Sequence, residues 1–214
     1  GDVHSSESLR ALMEELIAQG AENIDLVTPT HYLPTILPAL EKKLPVPVVY
    51  NCGGYERVET LKMLEGTVDI YLPDMKHVSP RLSALCAKAP DYFEVASAAL
   101  SEMCRQTGTP IYDDSGIMQK GTLIRHLILP GCTQDSMQVL NFIAEKLPKG
   151  TPVALMRQYT PQPFCTVKGL DRPITDTEYH RVLNHFEMLG LSGYTQEKTS
   201  SDAAFTPLFD FTGV

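Results

Sequence analysis

The chain lacks every cysteine spacing that would announce a metal centre or a disulfide framework. Its five cysteines, Cys52, Cys86, Cys104, Cys132 and Cys165, lie far apart, with no CxxC and no Cys/His pairing at ligand spacing. Scattered single cysteines fit a reducing cytoplasm, where most serve as small buried hydrophobes. Basic clusters are lacking too: acidic residues outnumber basic ones 26 to 18 with no Lys/Arg patch, which argues against a nucleic-acid partner. No apolar run approaches the ~20 residues of a membrane span, and residues 1–20 carry no signal-peptide pattern. A membrane partner is therefore not expected.

What is there fits one globular domain over 1–214. A chain of 214 residues, 43% hydrophobic and 21% charged, can bury a substantial core. Its most informative stretch is Ile70-Tyr71-Leu72-Pro73-Asp74-Met75-Lys76, an apolar strand that ends in a carboxylate and an ammonium two residues apart. Four other apolar segments end in the same way. Residues 23–27 run into Thr28-Pro29-Thr30-His31, 46–50 into Asn51-Cys52-Gly53-Gly54, 123–129 into Pro130-Gly131, and 153–157 into Gln158-Tyr159. In a parallel α/β sheet or barrel those ends share one rim, where ligands bind.

Helical stripes separate the strands. Leu9, Leu12, Met13, Leu16 and Ile17 predict a helix capped near Ser5-Ser6 and stopped by Gly20. A second helix is predicted after Thr30 with Pro34 in its first turn. Further helices are predicted around Val58–Leu64, from Asp91 to Gln106, at about 135–147, and from Thr175 or Asp176 to Gly190. Residues 74–90 and 160–173 read as loops, 109–122 as an irregular excursion or hairpin, and the tail from 191 has little periodicity. Short strand–helix units imply a parallel sheet. Five strands are too few for a closed eight-stranded barrel, and the chain opens with a helix. Either the sheet is flavodoxin-like, or this is an incomplete TIM-like barrel without its first strand.

The quoted segments resemble the radical S-adenosylmethionine (SAM) family, in particular the group related to pyruvate formate-lyase activating enzyme. Asn23 to Gly54 resembles that group's second and third units, and Val68 to Lys76 its Asp-x-Lys strand end. Arg125-His126-Leu127-Ile128-Leu129-Pro130-Gly131 resembles its Arg-His-Leu-x-Leu-Pro-Gly strand, and Met156-Arg157-Gln158-Tyr159-Thr160-Pro161 its Met-x-Gln-Tyr-x-Pro segment. Arg172-Pro173-Ile174-Thr175, Glu178-Tyr179 and Phe209-Asp210-Phe211-Thr212-Gly213 extend the likeness over about 23–214. The pieces are moderately specific one by one; their order and spacing make the likeness strong.

The resemblance implies the larger part of a (β/α)6 partial barrel. It also implies SAM and a [4Fe-4S] cluster as cofactors, and reductive cleavage of SAM to a 5′-deoxyadenosyl radical. An electron donor would be a partner, with a glycyl-radical enzyme as one candidate protein substrate. One departure matters. The family's CxxxCxxC cluster motif is absent from this chain, and Gly1 through Leu9 resemble the stretch just downstream of that loop. The expectation is a C-terminal fragment without its first strand and cluster loop, inactive by itself.

The resemblance also assigns candidate SAM- or substrate-binding residues. Thr28, Thr30 and His31 lie where the family holds the methionyl amino group; a plainer role for Thr30 is a helix cap. Asn51, before a glycine pair, corresponds to a strand end facing ribose or substrate, although an ordinary turn also explains the glycines. Asp74 and Lys76 share one face by strand alternation and can orient the SAM carboxylate and substrate, against the alternative of a solvated ion pair. Arg125 offers a fork suited to a carboxylate, but it begins its expected strand and so stands at the wrong end for the active rim. Arg157, Gln158 and Tyr159 stand at a strand end, with Tyr159 placed to stack on adenine. Two other functions stay open: a cluster-free α/β enzyme using His31, Asp74 and Lys76 for acid/base work, and a non-catalytic partner-binding domain.

Overall fold

The computed structural model describes residues 3–161 and 167–196. Helix α1 (Ser6–Ala18) is followed by β1 (Ile24–Val27), a 3-10 turn at Pro29–Tyr32, α2 (Leu33–Ala39), β2 (Val48–Cys52), α3 (Val58–Lys62) and β3 (Ile70–Pro73). Then come α4 (Pro80–Ala87), α5 (Tyr92–Thr107), β4 (Ile111–Tyr112), β5 (Met118–Thr122), β6 (Ile124–Leu127), α6 (Thr133–Lys146), β7 (Val153–Met156), α7 (Asp176–Met188) and β8 (Gly193–Thr195). Local chemistry accounts for several boundaries. Ser5 accepts the Ser8 N–H at the start of α1. Thr175 and Glu178 close a reciprocal capping box on α7.

Strands β1, β2, β3, β5 and β4 hydrogen-bond in that order, and β6, β7 and β8 in another run. The two runs are one curved wall. Asp74 bridges Arg125 in parallel, the Met75 N–H donates to the Arg125 carbonyl at 2.9 Å, and the Leu123 N–H donates to the Tyr71 carbonyl at 2.9 Å. β3 thus pairs with β5 at its start and with β6 beyond its end. Apart from the β4–β5 hairpin the pairings are parallel, and the strands stand in chain order. A flavodoxin-like sheet would reverse its strand order at a switch point, so the incomplete-barrel expectation holds. Among the described residues β1 does not meet β8, and no closed barrel forms.

Alternation along the strands puts one face against the helices. Tyr50, Cys52 and Tyr71 pack with Leu61, Leu64, Ala99 and Met103. Ile124, Ile128, Val153 and Leu155 pack with residues of α5, α6 and α7, among them Leu100, Leu140 and Val182. The opposite face stays half-open: β6 and β7 each alternate buried and half-buried positions. That inner wall carries the polar strand ends.

The structure corrects two expectations and decides a third between the alternatives of an irregular excursion and a hairpin. The loop after β3 contains α4, started by Ser79, whose hydroxyl accepts the Leu82 N–H, and by Pro80 in the first turn. The excursion before β6 is a hairpin whose second strand joins the sheet. The tail supplies β8, three exposed residues too short and open to show a burial pattern. Parts of the 160–173 loop, Cys165 and Phe209–Gly213 lie outside the described residues.

Candidate functional site

At the C-terminal end of the inner wall, side chains from four strands join in one network. Arg125 on β6 donates from Nε to Asp74 Oδ1 at 2.8 Å and from Nη2 to Asn51 Oδ1 at 2.7 Å. Lys76 Nζ donates to Asp74 Oδ2 at 2.6 Å. Asn51 Nδ2 donates to Asp25 Oδ2 on β1 at 3.1 Å. Guanidinium and ammonium only donate and carboxylates only accept, so this polarity is forced from one end to the other. Asp74 receives two cations, while Arg125 spans the gap between β2 and β3.

Register explains the convergence. Asn51 stands beside Leu72 across β2 and β3, and Asp74 beside Arg125. The objection that Arg125 begins its strand fails, because the backbone ladder starts earlier, at Met118, and merely breaks at Leu123. Arg125 therefore sits level with the strand ends of β2 and β3. The side chains keep 24%, 20% and 43% exposure at Arg125, Asp74 and Lys76, so a ligand entering the open face meets them directly.

The other predicted residues do not join this network. Thr30 turns away from the inner wall: its hydroxyl lies 2.9 Å from Glu56 Oε1 and 2.8 Å from the Tyr50 hydroxyl, and it caps no helix. His31 is exposed, on the Glu56 side. Thr28 is exposed at the rim in a left-handed conformation, φ 53° and ψ 50°, while its N–H donates to the Asn51 carbonyl at 2.8 Å. For a β-branched residue that geometry is strained.

Arg157 leaves the site altogether. Buried on the helix side, it donates from Nη2 to Asp176 at 2.6 Å, and its guanidinium lies 4.6 Å from the centre of the Tyr179 ring. Gln158 is exposed. Tyr159 donates its hydroxyl to the Leu170 carbonyl at 2.7 Å. It lines a cavity of about 310 Å³ beside Lys76, with Leu85, Leu127, Leu129 and Leu170.

Several residues of the site are not legible from sequence. Glu56 is buried, and burial pushes its carboxyl up while the Thr30 and Tyr50 hydroxyls oppose that shift. Tyr92 is almost fully buried and reaches three backbone groups at the strand ends. His126 and His77 lie under the wall, and burial depresses each to about 4. The Cys52 thiol, beside Asn51, is pushed up to about 12, first by burial. It is thus a core thiol, not a thiolate ligand.

No family model matches the sequence. The chain is 29% identical over 181 residues to the uncharacterised protein MJ0674 of Methanocaldococcus jannaschii, a match covering 80% of this chain and 48% of that protein. The chain thus spans about half the length of the curated relative it matches. In structure it is similar to a crystallographic domain of pyruvate-formate lyase-activating enzyme from Bacteroides vulgatus, with a TM-score of 0.58, 11% identity, and coverage of 82% of this chain and 98% of that one. At that identity the likeness shows the fold, a partial α/β barrel-like domain. No helix among the described residues is long and apolar enough to cross a membrane.

Proposed function

We propose that this chain forms the SAM-holding wall of a radical SAM enzyme related to pyruvate formate-lyase activating enzyme. The observation that carries the reading is the network Asp25–Asn51–Arg125–Asp74–Lys76. Four of those residues were picked out by resemblance from three separate segments, and they meet on one half-open face.

The donor set suits SAM. Its ammonium needs acceptors, which Asp25 and Asp74 offer; its carboxylate needs a cation, which Arg125 or Lys76 offers; and Asn51 can take a ribose hydroxyl. Asp74 is held by two cations, so an entering carboxylate can draw on one of them without stripping Asp74 of both partners. When bound, SAM supplies a carbon–sulfur bond open to reductive cleavage. The chain's own residues bind and orient it, and the apolar cavity beyond Lys76 gives space to a substrate group.

The described residues do not fit a cluster. No three His, Cys, Asp or Glu side chains among them converge to hold a metal ion. We propose that a segment upstream of Gly1 supplies CxxxCxxC, with an electron donor and a glycyl-radical enzyme as candidate partners. A cluster-free acid/base reading would need His31 beside Asp74 and Lys76, whereas His31 stands with Glu56.

The test is expression together with the upstream coding sequence, anaerobic iron–sulfide reconstitution, and assay for 5′-deoxyadenosine and methionine under dithionite. Formation of both is expected. A reconstituted protein that leaves SAM intact would defeat the proposal.

A further inference from the structure

We infer that Tyr92 is a positioning residue that sets the height of Asp74 and Lys76 on the inner wall; this rests on reading that wall as the SAM site. Tyr92 is the first residue of α5 and is 2% exposed. Its hydroxyl oxygen lies 2.9 Å from the Gly53 carbonyl and 2.9 Å from the Asp74 carbonyl, and it accepts the Lys76 N–H at 3.1 Å. All three partners belong to the two strand-end segments that carry Asn51, Asp74 and Lys76. A phenol has one proton, so the two carbonyls share it, while a lone pair takes the N–H. Burial pushes the phenol well above its ordinary range, so the proton stays in place.

The ring itself is clamped. Tyr55 stacks on it at 6.0 Å and 11°, and the Tyr55 hydroxyl donates to Asp91 at 2.9 Å. Gly54 completes the latch. A Cβ there would stand 2.1 Å from the Asp74 carbonyl oxygen and 3.1 Å from the Tyr92 hydroxyl, so only glycine lets the two segments close. The Asp74 carbonyl is held between the Gly54 backbone and the phenol, and its N–H donates to the Cys52 carbonyl at 3.0 Å. With the peptide fixed on the helix side, the carboxylate on the other side has one height relative to Arg125. Packing alone would be served by phenylalanine. The buried hydroxyl is worth its desolvation because it ties these particular groups.

The experiment titrates SAM into the protein expressed with its upstream coding sequence and reconstituted with iron and sulfide, followed by isothermal calorimetry and 15N NMR, for the parent and for Tyr92→Phe, Asp74→Asn and Tyr71→Phe. Tyr71 is the control. It lies on β3 but faces the helices, where its hydroxyl donates to Gln106 Oε1 at 2.6 Å. Both phenylalanine variants lose a buried hydroxyl bond and should melt a few degrees lower. Tyr92→Phe should also weaken SAM about tenfold, the effect of one lost hydrogen bond, and shift the Lys76 amide resonance; Tyr71→Phe should do neither. If Asp74→Asn loses SAM while Tyr92→Phe binds like the parent, the positioning role is overturned and the site reading survives. If the parent binds no SAM, or Asp74→Asn binds as well as the parent, the site reading falls and the role of Tyr92 falls with it.

Discussion

Replacing Asp74 by alanine separates a binding wall from an ordinary surface ion pair. The carboxylate accepts Lys76 Nζ at 2.6 Å and Arg125 Nε at 2.8 Å, so the change breaks two ion pairs at once. All three side chains retain solvent contact, and Arg125 keeps Asn51 as a partner at 2.7 Å. The Lys76 pair, with its ammonium side chain 43% exposed, contributes about 0.2–1 kcal/mol to folding. The Arg125 pair, at 24% and 20% exposure, contributes more than a surface pair does. The loss should total about 1–3 kcal/mol, a fall of several degrees in melting temperature for a chain of this size. Binding is at stake as well. One charge-assisted contact to SAM is worth about 1.5–3 kcal/mol, a loss of roughly 10- to 100-fold in affinity or rate. The assay is 5′-deoxyadenosine formation by the reconstituted protein, paired with a thermal melt. A parent-like rate with the expected melting shift would refute the reasoning, since Asp74 would then serve stability only.

Three further outcomes follow. Lys76→Ala should weaken SAM cleavage in the same range with even less effect on the melt, because its side chain is 43% exposed; an unchanged rate would remove Lys76 from the site. Stability should decline in acid. His77 and His126 sit near 4 in the folded protein against 6.5 for the free side chain, so the unfolded chain takes up protons first, and stability is lost between pH 6.5 and 4 and is level above that window. Urea titrations should show about 2 kcal/mol lost per histidine at pH 5 relative to pH 7, and a flat profile would contradict the burial argument. Thr28→Gly should raise stability by up to about 1 kcal/mol by relieving the left-handed backbone, whereas a lower denaturation midpoint would mean the turn is unstrained.

Five of the eight strands, β1, β2, β3, β6 and β7, were legible because each lies in a run of mainly apolar residues, and one alternation rule then placed Asp74 and Lys76 on a shared face. The same rule, applied to β7, would have removed Arg157. It has the parity of Val153 and Leu155, which pack against the helices, so it too points that way. Arg125 was harder. Its height depends on β5, a polar Met118–Thr122 segment whose pairing with β3 is a tertiary fact that no local pattern announces. Glu56 and Tyr92 were hidden for a related reason. A glutamate after a glycine turn and a tyrosine at a helix start look ordinary until the partners brought by other strands are known.

The central claim is tested most directly by the protein expressed with its upstream coding sequence, reconstituted with iron and sulfide, and reduced in the presence of SAM. The account predicts a brown protein that yields 5′-deoxyadenosine and methionine in equal amounts. A protein that carries a full [4Fe-4S] cluster and neither binds nor cleaves SAM would contradict it.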